Sequence, residues 1–151
     1  MRVALREGDL DDARRWTSEL ERGPEPRWYT GPLSSAAATT EADVCRAEVE
    51  LAGGDETAAT STVRSAVARA RREELLAAGL VALVTVARIL ERRGDRDGAR
   101  RVAAFLHEHP RASFETRGEA SRLPRSDDSA VRDESTGGVL AALDQAIVDL
   151  R

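Results

Sequence analysis

Residues 94–99 read Gly-Asp-Arg-Asp-Gly-Ala, and their frame of Gly, then Asp, then Ala five residues after the Gly occurs twice more. Residues 8–13 read Gly-Asp-Leu-Asp-Asp-Ala, and residues 54–59 read Gly-Asp-Glu-Thr-Ala-Ala. Gly adopts the positive φ that ends many helices, and Asp is a favoured N-cap of a following helix. Each frame therefore predicts a corner between two helices, and its recurrence predicts a helical repeat.

Apolar periodicity predicts helices on both sides of each corner. One helix begins between Ser34 and Glu41 and ends at Ala52, and a short one runs from Ser113 to about Leu123. The other predicted helices are residues 11–22, 57–72, 74–93, 97–108 and 138–150. The helix at 74–93 is apolar over most of its circumference, so we expect it at the centre of the array.

The chain divides into three predicted parts. Residues 1–123 form the helical repeat domain, residues 124–137 are polar and charged and predict a flexible linker, and residues 138–151 form an amphipathic helix. Two placements of this last helix remain open. It docks as a cap over the last hairpin, or it lies in a groove of a partner's helix array.

Composition argues against several classes of protein. All 23 basic residues are Arg, 27 residues are acidic, and the net charge is -4, whereas a protein that binds nucleic acid electrostatically normally has a basic excess. The single Cys45 fits a reducing compartment. The first fifteen residues contain no apolar run typical of a signal peptide, and the longest uncharged stretch, 75–87, is too short to span a bilayer. We therefore expect a cytoplasmic protein without a membrane partner.

Small residues occur at fixed distances from the corner glycines. Ala47 and Ala87 lie seven residues before a corner Gly, and Ala13, Ala59 and Ala99 lie five residues after one. Over about residues 1–110 this pattern resembles the tetratricopeptide repeat, in which small residues at these positions let paired helices touch. The spacings of 46 and 40 residues between corner glycines exceed the usual period of about 34 residues. The run at 80–123 resembles the last repeat of large bacterial ATPase-coupled transcriptional regulators.

The resemblance implies an all-α fold: a right-handed α-α superhelix of about three helical hairpins, the first incomplete, plus a C-terminal helix. It also implies a scaffold that binds a protein or peptide, as the regulatory or sensor arm, or a fragment of it, of a bacterial signalling or transcription regulator. In such repeats the first helix of each hairpin lines the concave surface, which would hold Glu48, Arg88 and Glu91. On this basis, Arg88→Glu should weaken partner binding while leaving helicity intact.

Two further features bear on partners. Trp28 and Tyr29 lie in the proline-rich loop 23–33, where they either fold back as local core or form an exposed aromatic anchor for a partner. Only seven residues precede Gly8, too few for a complete helix. This predicts either a fragment of a longer protein or self-association through the uncapped N-terminal edge.

The residue pattern predicts no enzyme, no metal site and no cofactor. Cys45 lies on an apolar stripe, and His107 and His109 are two positions apart, so on a helix their imidazoles point about 200° apart. The recurring Asp residues at helix starts are explained by capping. A small enzyme is therefore the least favoured alternative. A nucleic-acid accessory surface built from the Arg clusters is the other alternative, although acids are interleaved with these clusters.

Overall fold

The structure is a computed structural model that describes residues 8–22, 34–123 and 136–150. Across these ranges all regular structure is α-helical, which confirms the all-α class. The helices are α1 (Leu10–Glu21), α2 (Ser34–Ala52), α3 (Glu56–Arg72), α4 (Leu76–Arg92), α5 (Arg96–Glu108), α6 (Phe114–Ala120) and α7 (Thr136–Asp149). Trp28, Tyr29 and most of the predicted linker lie outside the described residues.

The three predicted corners have the predicted geometry. Their glycines have φ between 77° and 86°, in the left-handed region that favours Gly. Each following Asp accepts a hydrogen bond from the backbone N–H three residues further on, at 2.8 to 2.9 Å. These pairs are Gly8 with Asp9, Gly54 with Asp55, and Gly94 with Asp95. The Gly54 and Gly94 corners therefore end one helix and cap the next within two residues, and the Gly8 corner caps α1.

The alanines that flank the corners are all buried. We call them the corner alanines: Ala13, Ala47, Ala59, Ala87 and Ala99, each 0% exposed. Helix α2 packs on α3, and α4 packs on α5. Small side chains at these positions allow the close helix approach that a short corner requires.

A fourth corner, between α3 and α4, lacks the Gly-Asp frame, although the sequence predicts separate helices on its two sides, 57–72 and 74–93. Glu74 has a φ of 53°, and the Leu75 N–H donates to the Ala70 carbonyl at 2.9 Å, as the Asp95 N–H donates to the Leu90 carbonyl. This corner has neither a Gly nor a side-chain cap, since Leu75 is the N-cap residue of α4. The prediction of one helix over 74–93 was therefore wrong at its start, and α4 begins at Leu76.

Glu74→Gly is expected to stabilise the protein by about 1 kcal/mol, because Gly avoids the cost of a side chain in left-handed backbone. Urea unfolding monitored by circular dichroism measures the difference. Glu73→Gly is the matched control, because Glu73 is also exposed but has a φ of -95°. The control should be neutral or destabilising, and equal stability of the two variants would contradict the strain assigned to Glu74.

Helix α4 occupies the centre of the array, as its sequence predicts. It contacts five other helices, namely α2, α3, α5, α6 and α7. Its fully or almost fully buried side chains include Leu80, Leu83, Val84, Val86, Ile89 and Leu90. A helix with apolar residues on most of its surface is stable only when it has neighbours on several sides, which this arrangement supplies.

Helix α7 folds back onto its own chain and packs against α3 and α4. Docking within the chain was one of the two predicted placements, but its position differs from a cap over the last hairpin, α4 and α5. Instead α7 contacts one helix of each of two hairpins, namely α3 of the α2–α3 hairpin and α4 of the α4–α5 hairpin. Arg101 of α5 reaches it through Asp149, at 3.9 Å.

Candidate partner-binding surface

A row of charged side chains joins α2, α4 and α6. Arg88 on α4 donates from Nη1 to Glu48 Oε1 of α2 at 3.1 Å and from Nη2 to Glu119 Oε2 of α6 at 2.5 Å. Glu119 Oε1 accepts a further hydrogen bond from Arg122 at 3.0 Å. We call Glu48, Arg88, Glu119 and Arg122 the charge row.

The two carboxylates of the charge row are buried. The Glu48 and Glu119 side chains are 4% and 7% exposed, whereas the Arg88 side chain is 32% exposed. The Thr85 hydroxyl lies 3.4 Å from Glu48 Oε1 and is itself buried. Removing carboxylates from water is costly, and the Arg88 guanidinium offsets part of this cost for both of them, together with Thr85 at Glu48 and Arg122 at Glu119.

The register of the repeat explains why Glu48 meets Arg88. Both residues lie six positions before a corner glycine, Gly54 or Gly94, so they are equivalent positions of successive hairpins. Contact between α2 and α4 brings these positions together. Arg92, two positions before Gly94, donates to the Leu51 carbonyl at 2.6 Å and so satisfies a carbonyl at the C-terminal end of α2.

The residues predicted to face a partner have different surroundings. Glu91 is exposed, Arg88 is partly exposed, and Glu48 is buried beneath Arg88. Glu48 therefore offers no open carboxylate to a partner, which corrects that part of the prediction, and its role is to hold Arg88. Arg88→Glu would place a new carboxylate beside two buried ones, so we expect this substitution to lower stability as well as to weaken partner binding.

Sequence reasoning missed Glu119 and Arg122. Glu119 lies 31 positions after Arg88, and no corner frame joins α5 to α6. The only signal was the spacing of three residues from Glu119 to Arg122, which favours an ion pair on one helical turn. Such pairs are common and do not identify a site.

The Arg clusters carry nearby acids that pair with them. Examples are Arg14 with Asp11, Arg15 with Asp12, Arg93 with Glu56 and Arg100 with Asp97, with distances from 2.5 to 3.5 Å. These pairs are mostly exposed, and each contributes little to stability. They also reduce the positive potential that a phosphate backbone would require.

The histidines do not share a surface. His107 is exposed, whereas His109 is 3% exposed, stacks near Phe105 and accepts a hydrogen bond at Nδ1 from the Arg111 N–H. Among the described residues, no group of three or more His, Cys, Asp or Glu side chains has an arrangement suited to a metal ion. Cys45 is half-buried on α2.

None of the described helices combines the length and apolar character needed to cross a membrane. Comparison with models of protein families, with curated proteins and with solved structures found no match. The resemblance to tetratricopeptide repeats therefore stays a prediction from the sequence.

Proposed function

We propose that the protein is a tetratricopeptide-like scaffold that binds another protein or peptide, and that it acts as the regulatory or sensor arm of a bacterial signalling or transcription protein. The supporting observation is the pairing of Glu48 with Arg88, two equivalent positions of successive hairpins. Hairpins that stack in register form an extended surface, and repeat arrays use such surfaces to bind partners. In this proposal the successive hairpins stack into a right-handed superhelix.

The proposed partner surface is the exposed side of α4 near its C-terminal end. Glu91 is exposed there, and Arg88, held by two carboxylates, lies one turn earlier with its guanidinium partly open to solvent. A fixed Arg loses little conformational freedom when it binds, and Arg is common among residues that dominate interfaces. The single Cys45 and the absence of Lys are compatible with a cytoplasmic bacterial protein.

The N-terminal edge is a second proposed contact, through self-association. Trp16 on α1 is 46% exposed, whereas Ala13 and Thr17 on the same helix are buried. A partly exposed Trp on the first described helix suits an interface better than a free surface.

Glu91→Arg is expected to weaken binding of a partner by about tenfold, which corresponds to one lost interface contact of about 1.4 kcal/mol. The partner is first captured with the wild-type chain, identified and purified, and its Kd is then measured by calorimetry. Glu108→Arg is the matched control, because it makes the same charge change at an exposed position on α5.

The control should bind as the wild type does, and circular dichroism should show both variants to be fully helical. Equal affinities for Glu91→Arg and Glu108→Arg would remove the α4 surface from the proposal. Failure of the wild-type chain to bind any protein, together with turnover of a small molecule, would overturn the scaffold function itself.

A further inference from the structure

Helix α7 docks through one row of side chains. Val139, Leu143, Ala146 and Leu150 are spaced by four, three and four residues, and each is at most 1% exposed. This spacing places them on one face of the helix, and that face lies against α3 and α4. The opposite face carries Asp144 and Gln145, which are exposed.

The surface that receives α7 contains a hollow at Gly79. A Cβ at Gly79 would lie 3.0 Å from Leu143 Cδ1 and 3.6 Å from the Ala70 Cβ. The side chain of Leu143 therefore occupies the space that any larger residue at position 79 would fill. We call this surface, with Gly79 and Ala70 at its base, the α3–α4 groove.

Basic residues flank the α3–α4 groove. Arg71 Nε donates to both carboxylate oxygens of Asp144, at 3.0 and 3.1 Å, and Arg101 lies 3.9 Å from Asp149. A helix in this groove is thus matched in two ways. Its apolar row needs a side chain of the size of Leu over Gly79. Its binding is favoured by an acid directly after that residue, as at Asp144, and by another acid five residues further on, as at Asp149.

Three features favour displacement of α7 by a separate helix, although its apolar row is buried in the core. Gly137 and Gly138 lie in its first turn, and each costs a helix about 1 kcal/mol relative to Ala. The Arg71 and Asp144 side chains are 42% and 56% exposed, so their ion pair contributes little. Fifteen residues, 121–135, separate the end of α6 from the start of α7 in the sequence, so α7 is a covalently attached ligand of the groove. A separate helix displaces α7 when the ratio of its concentration to its Kd exceeds the same ratio for the attached α7.

We infer that the α3–α4 groove is a binding site for an acidic amphipathic helix of a partner protein, and that α7 occupies this groove as an internal competitor. The inference deepens the proposed scaffold function, on which it rests, by naming a second site, the chemistry of its ligand and its regulation. The partner helix carries the α7 pattern: apolar residues spaced by four, three and four, with acids beside the row. Binding of this helix releases α7.

The test uses a fluorescent peptide of residues 136–150 and three full-length chains: wild type, Leu143→Asp, and Leu143→Asp combined with Gly79→Leu. Leu143→Asp places a charge in the hollow and releases α7, so the peptide should bind this chain at least tenfold more tightly than the wild type. Gly79→Leu fills the hollow, so peptide binding to the double variant should be lost. Fluorescence anisotropy gives the affinities, and circular dichroism verifies folding.

A peptide with Asp144→Arg and Asp149→Arg is the matched ligand control. It keeps the apolar row but repels Arg71 and Arg101, so its affinity for the Leu143→Asp chain should fall severalfold. Equal affinity of the two peptides would overturn the acidic character assigned to the partner.

A second measurement uses only the wild-type chain and does not depend on how the variants fold. Hydrogen exchange of the isotope-labelled chain, followed by NMR, should accelerate in α7 but not in α4 as unlabelled peptide is added up to concentrations above the roughly millimolar effective concentration of an attached ligand. The inference is overturned if α7 stays as protected as before, or if the double variant binds the peptide as tightly as Leu143→Asp does. It is also overturned if the wild type forms dimers that exchange α7, because the groove would then serve self-association.

The groove and the Glu91 surface are tested separately. The peptide experiment measures the groove alone, and the Glu91→Arg experiment measures the exposed end of α4. A groove that rejects the peptide while Glu91→Arg still weakens partner binding overturns only the inference about α7.

Discussion

Arg88→Met is expected to lower the free energy of unfolding by about 3–5 kcal/mol, the typical cost of removing one partner from a buried ion pair. Met preserves much of the aliphatic length of Arg, so the lost free energy of unfolding comes from removal of the charge rather than from a cavity. Without the guanidinium, the buried Glu48 and Glu119 lose the cation that contacts them both, whereas the contacts of Thr85 with Glu48 and of Arg122 with Glu119 remain. Urea unfolding at neutral pH measures the change.

Two comparisons separate the charge effect from other causes. Arg122→Met removes the other arginine that pairs with Glu119, but its side chain is 62% exposed, so the cost should stay below about 1 kcal/mol. Adding Glu48→Gln and Glu119→Gln to Arg88→Met should recover much of the lost stability, because neutral amides are easier to bury than carboxylates. A cost for Arg88→Met no greater than that for Arg122→Met would contradict the role of the charge row.

Ala59→Leu is expected to destabilise the protein by about 2–3 kcal/mol, because the larger side chain has no space between two closely packed helices. Ala59 is 0% exposed and lies five residues after the corner glycine Gly54. The added atoms would force α2 and α3 apart or shift side chains from their preferred rotamers.

Ala68→Leu is the matched control for this substitution, because Ala68 is on the same helix but exposed. It should change the stability by less than about 0.5 kcal/mol, as most surface substitutions do. Thermal unfolding of both variants in the same buffer gives the comparison. If Ala59→Leu unfolds at the same temperature as Ala68→Leu, the tight contact assigned to the corner alanines is wrong.

The corners could be predicted because each needs only two local features, a positive φ and a helix N-cap, and one residue type supplies each of them. Gly94 adopts the positive φ and Asp95 caps the next helix, and both preferences are properties of the residue type. Glu74 has no such preference. Its left-handed backbone accompanies the packing of Leu75 and Leu76 against the core, so the predicted helix 74–93 began two residues too early.

The surface was less predictable than the fold because it depends on contacts between distant helices. Glu48 and Arg88 could have been paired from their equal distances to the corner glycines, but the partner that completes the charge row, Glu119, follows no corner frame. The apolar row of α7 could be predicted from the sequence. The surface on which this row docks could not, because a glycine within a helix, such as Gly79, does not indicate which distant side chain fills the space beside it, here Leu143.

The central claim is that each corner brings two helices together through small side chains. Nuclear Overhauser effects between alanine methyl groups in a methyl-labelled sample test it most directly. The account predicts cross-peaks between Ala47 and Ala59 and between Ala87 and Ala99, with all four methyl groups shielded from a soluble paramagnetic agent. Missing cross-peaks for both pairs, together with strong broadening of these methyl signals by the agent, would contradict it.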